Sequence, residues 1–164
     1  MIHGIQANTT NVRQQLMTSP YEFYLTGSRF FGTAKPNSDW DFFVQQENSE
    51  ALESFLKKLG FVQALFTSYK DMLVDKVYRN MQEKIDIQIV KSAKTKLAVQ
   101  EYIYSLGKNV GFARAFHAMT KYEKTHVWDM AYCITQNICL GTGRNGRESF
   151  YKKPNYSDLV KEFK

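Results

Sequence analysis

Two aspartates separated by one residue are the side chains in this sequence best suited to binding a metal ion. Asp39 and Asp41 begin the run Asp39–Val44, which is predicted to form a β-strand, so both carboxylates project from one face. At a rise of about 3.3 Å per residue, their Cα atoms lie roughly 7 Å apart. Carboxylates at that separation can hold one divalent ion or a pair of ions. Mg2+ suits such a site because water and phosphate oxygens complete its octahedron.

An Asp-x-Asp pair alone is a weak signal, because solvent-facing strands and turns also carry it. The residues upstream make it stronger. Gly27 and Ser28 follow the apolar run Tyr21–Leu25, a predicted strand, at the start of a turn expected to lead into a helix, and Arg29 adds a positive charge. Glycine lets a ligand approach the backbone closely, while a serine hydroxyl and neighbouring N–H groups can hold phosphate oxygens. A phosphate-binding turn followed by two metal-binding carboxylates is the combination that a magnesium-bound triphosphate needs.

The run from Gly27 to Val44, GSRFFGTAKPNSDWDFFV, resembles the signature of the nucleotidyltransferase superfamily that includes DNA polymerase beta. It is most similar to the minimal nucleotidyltransferases, in which Gly-Ser is followed after a short loop by Ser-Asp-x-Asp and an apolar strand. With a later carboxylate included, the resemblance extends over residues 21–90, whereas residues 92–164 resemble no part of the family. It implies an α+β nucleotidyltransferase fold with a mixed β-sheet flanked by helices.

The resemblance also implies a third acidic residue on a later strand. Asp86 fits, because it lies between two isoleucines in Lys84–Val90, where apolar and polar residues alternate cleanly. Asp71 and Asp75 are weaker candidates, since their surroundings are more typical of turns. The alternative for Asp86 is a solvated strand residue.

By this resemblance the mechanism is transfer of a nucleotidyl group with two Mg2+ ions, for which Mn2+ could substitute. Asp39 and Asp41 would hold the ion bound to the triphosphate. Asp86 would join them on the second ion, orient the acceptor hydroxyl and help to take its proton. The residues expected to bind the nucleotide are Gly27, Ser28, Arg29 and Ser38.

The leading hypothesis is therefore an enzyme that transfers a nucleoside monophosphate, expected to be AMP from ATP, to a hydroxyl group with release of pyrophosphate. The acceptor is a protein side chain, a small molecule or an RNA end, with a slight preference for the protein. A protein partner or a second copy of the chain would complete the site. Two alternatives are a non-catalytic nucleotide- or nucleic-acid-binding protein that keeps the fold, and a glycosyltransferase that uses Asp-x-Asp.

The elements that must position these residues divide near residue 91. Residues 1–91 are predicted as the catalytic core, and residues 92–164 as a helical subdomain with a basic tail. Trp40 replaces the aliphatic residue usual in the family, and we expect it to pack in the core. Helices are predicted at 9–18, capped by Thr9 or Thr10, at 48–59, 92–106, 110–122 and 125–140; strands at 21–25, 39–44, 61–66, 72–78 and 84–90.

The composition is that of a globular protein. Of 164 residues, 43% are hydrophobic and 15% aromatic, and the formal net charge is +6, which favours anionic partners such as nucleotides. No stretch reaches the length of a transmembrane helix. Cys133 and Cys139 would lie on different faces of a helix, so we expect free thiols and a cytoplasmic protein.

Overall fold

The structure, a computed structural model, describes residues 11–46, 49–65 and 70–137. In these ranges five strands form one mixed sheet in the order β1-β2-β5-β4-β3. β2 and β5 run parallel, whereas the other three neighbouring pairs are antiparallel. The strands are β1 (Phe23–Thr26), β2 (Trp40–Gln45), β3 (Val62–Gln63), β4 (Val74–Asn80) and β5 (Ile85–Val90).

The described ranges also contain six helices, which confirms the α+β class. None of these helices is both long and apolar enough to cross a membrane. The chain divides into two compact units between Leu97 and Ala98, whereas the sequence predicts a division near residue 91. The helices are α1 (Val12–Met17), α2 (Gly27–Phe31), α3 (Ser49–Lys58), α4 (Ala93–Leu106), α5 (Val110–Ala118) and α6 (Lys121–Gln136).

One face of the sheet, called here the core face, carries most of the hydrophobic core. Because side chains alternate along a strand, the three isoleucines of β5 all point to this face and are at most 2% exposed. Helices α1 and α3 pack against them through fully buried leucines. Trp40 also packs against this cluster, as expected from the sequence. The buried members of the cluster are Leu16, Phe23, Phe42, Val44, Leu52, Leu56, Phe61, Tyr78, Ile85, Ile87 and Ile89.

The opposite face, called here the aspartate face, is divided between an apolar end and a polar end. At the apolar end, Phe43, Val77 and Val90 pack with Ala93 at the start of α4. The polar end carries Asp41 and the residues in register with it. The first residue of α4 therefore packs on the apolar end of this face.

A partly buried carboxylate, Glu53, joins α3 to β4 across the core face. The hydroxyl of Tyr78, which is fully buried, donates to Glu53 Oε1, and Lys76 Nζ lies 3.1 Å from the same oxygen. The pKa of Tyr78 is raised from 10.0 to about 12. Burial of the phenol is the largest cause of this shift, and its hydrogen bond to Glu53 is the second. The hydrogen bond from Tyr78 also lowers the pKa of Glu53. Both shifts favour the neutral tyrosine and the ionised glutamate in the folded protein.

This arrangement predicts a loss of stability in alkali. Since the pKa of Tyr78 is raised on folding, its contribution is complete below pH 10 and disappears as the pH rises from 10 to 12. We expect Tyr78→Phe to be less stable than the wild type below pH 10, with a difference that narrows above it. Urea unfolding at several pH values measures this. Tyr122→Phe, at an exposed tyrosine, should follow the wild type, and a constant Tyr78→Phe deficit up to pH 12 would contradict the prediction.

The structure corrects three boundaries predicted from sequence. Asn11 caps α1 by accepting a hydrogen bond from the Gln14 N–H at 2.8 Å; Thr9 and Thr10, the predicted caps, lie outside the described residues. The helix expected to follow the turn at Gly27 and Ser28 begins at Gly27 itself, as the short helix α2. Strand β3 is only two residues long because its residues are exposed and pair with β4 alone, so little burial stabilises a longer strand.

In the second unit, α5 ends at Ala118 and α6 begins at Lys121, each four residues earlier than predicted. The side chain of Thr120 accepts from the Glu123 N–H, while the Glu123 carboxylate accepts from the Thr120 N–H. This capping box fixes the start of α6 at Lys121, so the helix predicted at 110–122 ends at Ala118. Cys133 is a buried thiol and not part of a disulfide, as predicted; Cys139 lies outside the described residues.

Candidate active site

Four residues on the aspartate face lie in a single row across four strands. Thr26 of β1 pairs with Asp41 of β2. Asp41 in turn pairs with Asp86 of β5, and Asp86 pairs with Arg79 of β4. Neighbouring strands are about 4.8 Å apart, and paired residues share a face. Asp41 and Asp86, two of the three carboxylates predicted from sequence, therefore lie side by side. We call Thr26, Asp41, Asp86 and Arg79 the aspartate row.

Gly27 packs directly against the Asp41 carboxylate. It is the first residue of α2 and has a φ of +70°, in the left-handed region that favours glycine. A Cβ at this position would lie 3.0 Å from both Cβ and Cγ of Asp41, and closer still to Oδ2. The close approach therefore depends on the absence of a side chain at Gly27, and it fixes the turn between β1 and α2 against the aspartate row.

The loop between α2 and β2 is held by two cations. Arg29 Nη2 donates to the carbonyl oxygen of Ser38 at 2.6 Å, and the guanidinium lies 4.2 Å from the centre of the Trp40 ring. Lys84 Nζ donates to the Asn37 carbonyl oxygen at 2.9 Å. Stacking on an aromatic ring and bonding to a carbonyl both stabilise a guanidinium. Arg29, predicted to bind the nucleotide, thus also fixes the loop that leads to Asp39.

The other predicted site residues lie around this loop. Ser28 is half-buried in α2, and Ser38 accepts a hydrogen bond from the Lys35 N–H at 2.8 Å through its hydroxyl. Asp39 is exposed and immediately precedes β2. In the part of the chain that the structure describes, no three acidic, histidine or cysteine side chains are already grouped to hold a metal ion, so the predicted metal set stays a prediction.

Asp71, one of the two weaker candidates for the third carboxylate, belongs to a different part of the sheet. It is buried just before β4, and its Oδ2 lies 2.5 Å from Lys96 Nζ of α4. Its Oδ1 accepts from the Leu73 N–H at 3.0 Å. Strand β4 runs from this end towards Arg79, so Asp71 lies at the end of the strand away from the aspartate row. Its interactions are those of a structural ion pair.

Two residues on the aspartate face are not predicted from sequence. Arg79 Nε donates to Asp86 Oδ1 at 2.8 Å. Gln88, two residues after Asp86 and on the same face, has a buried Oε1 atom without a partner among the described residues. A buried carbonyl oxygen without a partner is uncommon in folded proteins. The strand predicted at 72–78 ends one residue before Arg79, whereas β4 continues to Asn80 and so pairs Arg79 with Asp86.

Comparison of the chain with protein-family models, with curated proteins and with solved structures gives no match. The functional assignment therefore depends on the residues of the aspartate row and the turn beside it.

Proposed function

We propose that this chain is a metal-dependent nucleotidyltransferase that transfers a nucleoside monophosphate, taken as AMP from ATP, to a hydroxyl acceptor with release of pyrophosphate. One observation carries the proposal: Gly27 packs against the carboxylate of Asp41, which is itself the strand neighbour of Asp86. This arrangement places a turn suited to phosphate beside two carboxylates suited to cations. Membership of the nucleotidyltransferase superfamily, and the corresponding fold, are parts of the same proposal.

The residues present fit a divalent cation. Asp41 and Asp86 lie on adjacent strands with side chains on one face, at a spacing that oxygen ligands of one Mg2+ can bridge. Asp39 is exposed two residues before Asp41 and would complete the set, with Mn2+ as an alternative ion. When bound, two ions would stabilise the negative charge that develops on the transferred phosphate and on the leaving pyrophosphate.

The protein itself has three tasks in this reaction. Asp86 orients the acceptor hydroxyl and takes its proton as the new ester bond forms. The backbone at Gly27 and the hydroxyls of Ser28 and Ser38 bind the β- and γ-phosphates, and Arg29 adds positive charge while it fixes the loop. The buried, unpartnered oxygen of Gln88 offers an acceptor for a donor group of the bound substrate.

The acceptor is proposed to be a hydroxyl of a protein side chain, in preference to a small molecule or an RNA end. The net charge of +6 suits an anionic donor, and a protein partner or second copy would complete the acceptor side of the site. The glycosyltransferase alternative requires more parallel strands than the single parallel pair in the described sheet, so we do not propose it. The proposed compartment is the cytoplasm.

The test is transfer of label to an acceptor from each α-labelled nucleoside triphosphate, with Mg2+ and a lysate of the host cell. We expect ATP to give a labelled acceptor and released pyrophosphate with the wild type. The double variant Asp39→Ala, Asp41→Ala should give neither, because the cation ligands are missing. Glu83→Gln, which removes an exposed acidic charge in the β4–β5 turn, is the matched control and should keep activity. Undiminished labelling by the double variant would refute the mechanism.

A second candidate function is binding of nucleotide without turnover. It is favoured by the ion pair between Arg79 and Asp86, which occupies one oxygen of the proposed base. Calorimetry with ATP and Mg2+ separates the candidates when it is combined with a pyrophosphate assay. Saturable binding without pyrophosphate release on any acceptor would support the second.

A further inference from the structure

Arg79 is the only cation in the aspartate row, and its contact with Asp86 uses a single nitrogen. The bond runs from Nε to Asp86 Oδ1 at 2.8 Å, with 44% of the Arg79 side chain and 20% of the Asp86 side chain exposed. Within residues 11–46, 49–65 and 70–137, no group accepts a hydrogen bond from the Nη atoms. A guanidinium held in this way keeps its two outer nitrogens available to a second anion.

The pair also competes with any cation for Asp86. A carboxylate oxygen that accepts a hydrogen bond from a guanidinium is a poorer ligand for a metal ion, since both positive groups seek the same electron pairs. Without a cation, Arg79 offsets one of the two adjacent negative charges on Asp41 and Asp86. With a divalent cation on the carboxylates, Arg79 would lie beside like charge, which favours its movement towards an anion.

We propose that Arg79 couples binding of the metal to binding of the triphosphate in the site described under the proposed function, on which this inference rests. In the cation-free protein it pairs with Asp86. When a divalent cation occupies the carboxylates, its guanidinium moves to the phosphate oxygens of the nucleotide and binds them through the Nη atoms. Metal and nucleotide therefore bind with positive coupling, because each favours the same position of Arg79. Arg79 is a positioning residue in the free protein and a substrate-binding residue in the loaded one.

The experiment measures binding of two simple probes, Mn2+ alone by electron paramagnetic resonance and inorganic tripolyphosphate by calorimetry in saturating Mn2+. Arg79→Gln removes the competing charge, so Mn2+ alone should bind roughly three- to fivefold more tightly, the value of a partly exposed ion pair. Tripolyphosphate should bind about tenfold more weakly or worse, because a charge-assisted hydrogen bond is lost. Arg79→Lys should recover part of the tripolyphosphate affinity, since it keeps the charge without the planar fork.

Lys76→Gln is the matched control. It removes a cation from an ion pair on the same strand, but on the core face, where Lys76 contacts Glu53. It should leave both affinities at the wild-type value. If Arg79→Gln binds Mn2+ no more tightly than the wild type does, or keeps full tripolyphosphate affinity, the coupling is refuted.

The two proposals fail in different ways. Asp86→Asn should weaken Mn2+ binding strongly if the carboxylates hold the cation. If it does so while Arg79→Gln changes nothing, the metal site stands and the role of Arg79 is refuted. If Asp86→Asn leaves Mn2+ binding unchanged, or the wild type binds no Mn2+, the proposed metal site is refuted and the inference with it.

Discussion

Replacement of Gly27 by alanine is expected to lower the rate of nucleotidyl transfer by about a hundredfold or more. The new Cβ would lie 3.0 Å from Cβ and Cγ of Asp41 and nearer still to Oδ2, so the carboxylate must move. Displacement of a metal-binding or substrate-positioning group by about 1 Å commonly costs two orders of magnitude in rate. Pyrophosphate release per folded molecule measures this effect.

Gly32→Ala is the matched control for this variant. Gly32 ends α2 with a φ of +79°, but nothing lies within 4 Å of a Cβ built there. Both variants therefore carry the strain of a left-handed alanine, about 1 kcal/mol, whereas only Gly27→Ala disturbs Asp41. We expect Gly32→Ala to lose a little stability in urea and to keep its rate. Rates within about threefold of each other for the two variants would contradict the role assigned to Gly27.

Lys96→Met is expected to reduce the free energy of unfolding by about 3–5 kcal/mol. This is the usual cost of removing one partner of a buried ion pair, which leaves the other charge buried and uncompensated. The side chains of Lys96 and Asp71 are only 1% and 8% exposed, and their charged atoms are 2.5 Å apart. Methionine has nearly the same length as lysine without its charge, so the variant leaves an uncompensated carboxylate inside the protein. Urea unfolding monitored by circular dichroism gives the free energy.

Two further variants separate lost charge compensation from altered packing. Lys76→Met removes a cation from a pair that is 35% and 14% exposed, and it should cost about 1 kcal/mol or less. In the double variant Lys96→Met, Asp71→Asn, the remaining amide can still accept from Leu73, and stability should recover substantially. Equal losses for Lys96→Met and Lys76→Met, or no recovery in the double variant, would contradict the buried charge as the cause.

The sequence predicts those parts of the fold in which hydrophobic periodicity is strong. The alternation around Asp86 predicts β5 within one residue, and the apolar spacing of Leu52 and Leu56 predicts α3. In both cases the same side chains determine the local structure and the packing, because they are buried against each other on the core face. The adjacency of Asp41 and Asp86 follows once these strands pair in parallel, but the parallel pairing itself has no local signal.

The contacts that the sequence does not predict depend on tertiary register. Arg79 meets Asp86 because the β4–β5 turn ends at Lys84, which has a φ of +56°. Asparagine or glycine would have indicated that conformation, whereas lysine gives no such signal. Likewise, nothing in the sequence around Asp71 or Lys96 shows that they form a buried ion pair and are not two exposed charged side chains. Their burial is a property of the assembled strands and of α4.

The parallel pairing of β2 with β5 also has a consequence for folding. Asp41 and Asp86 are neighbours in the sheet, yet α3, β3 and β4 all lie between them in the chain. Such long-range contacts form only after the entropy of closing the intervening loop has been overcome, which makes them late and cooperative. A nascent or partly unfolded chain therefore has the Gly-Ser turn and the first carboxylates, but it lacks the assembled pair. The site is made and lost together with the central sheet.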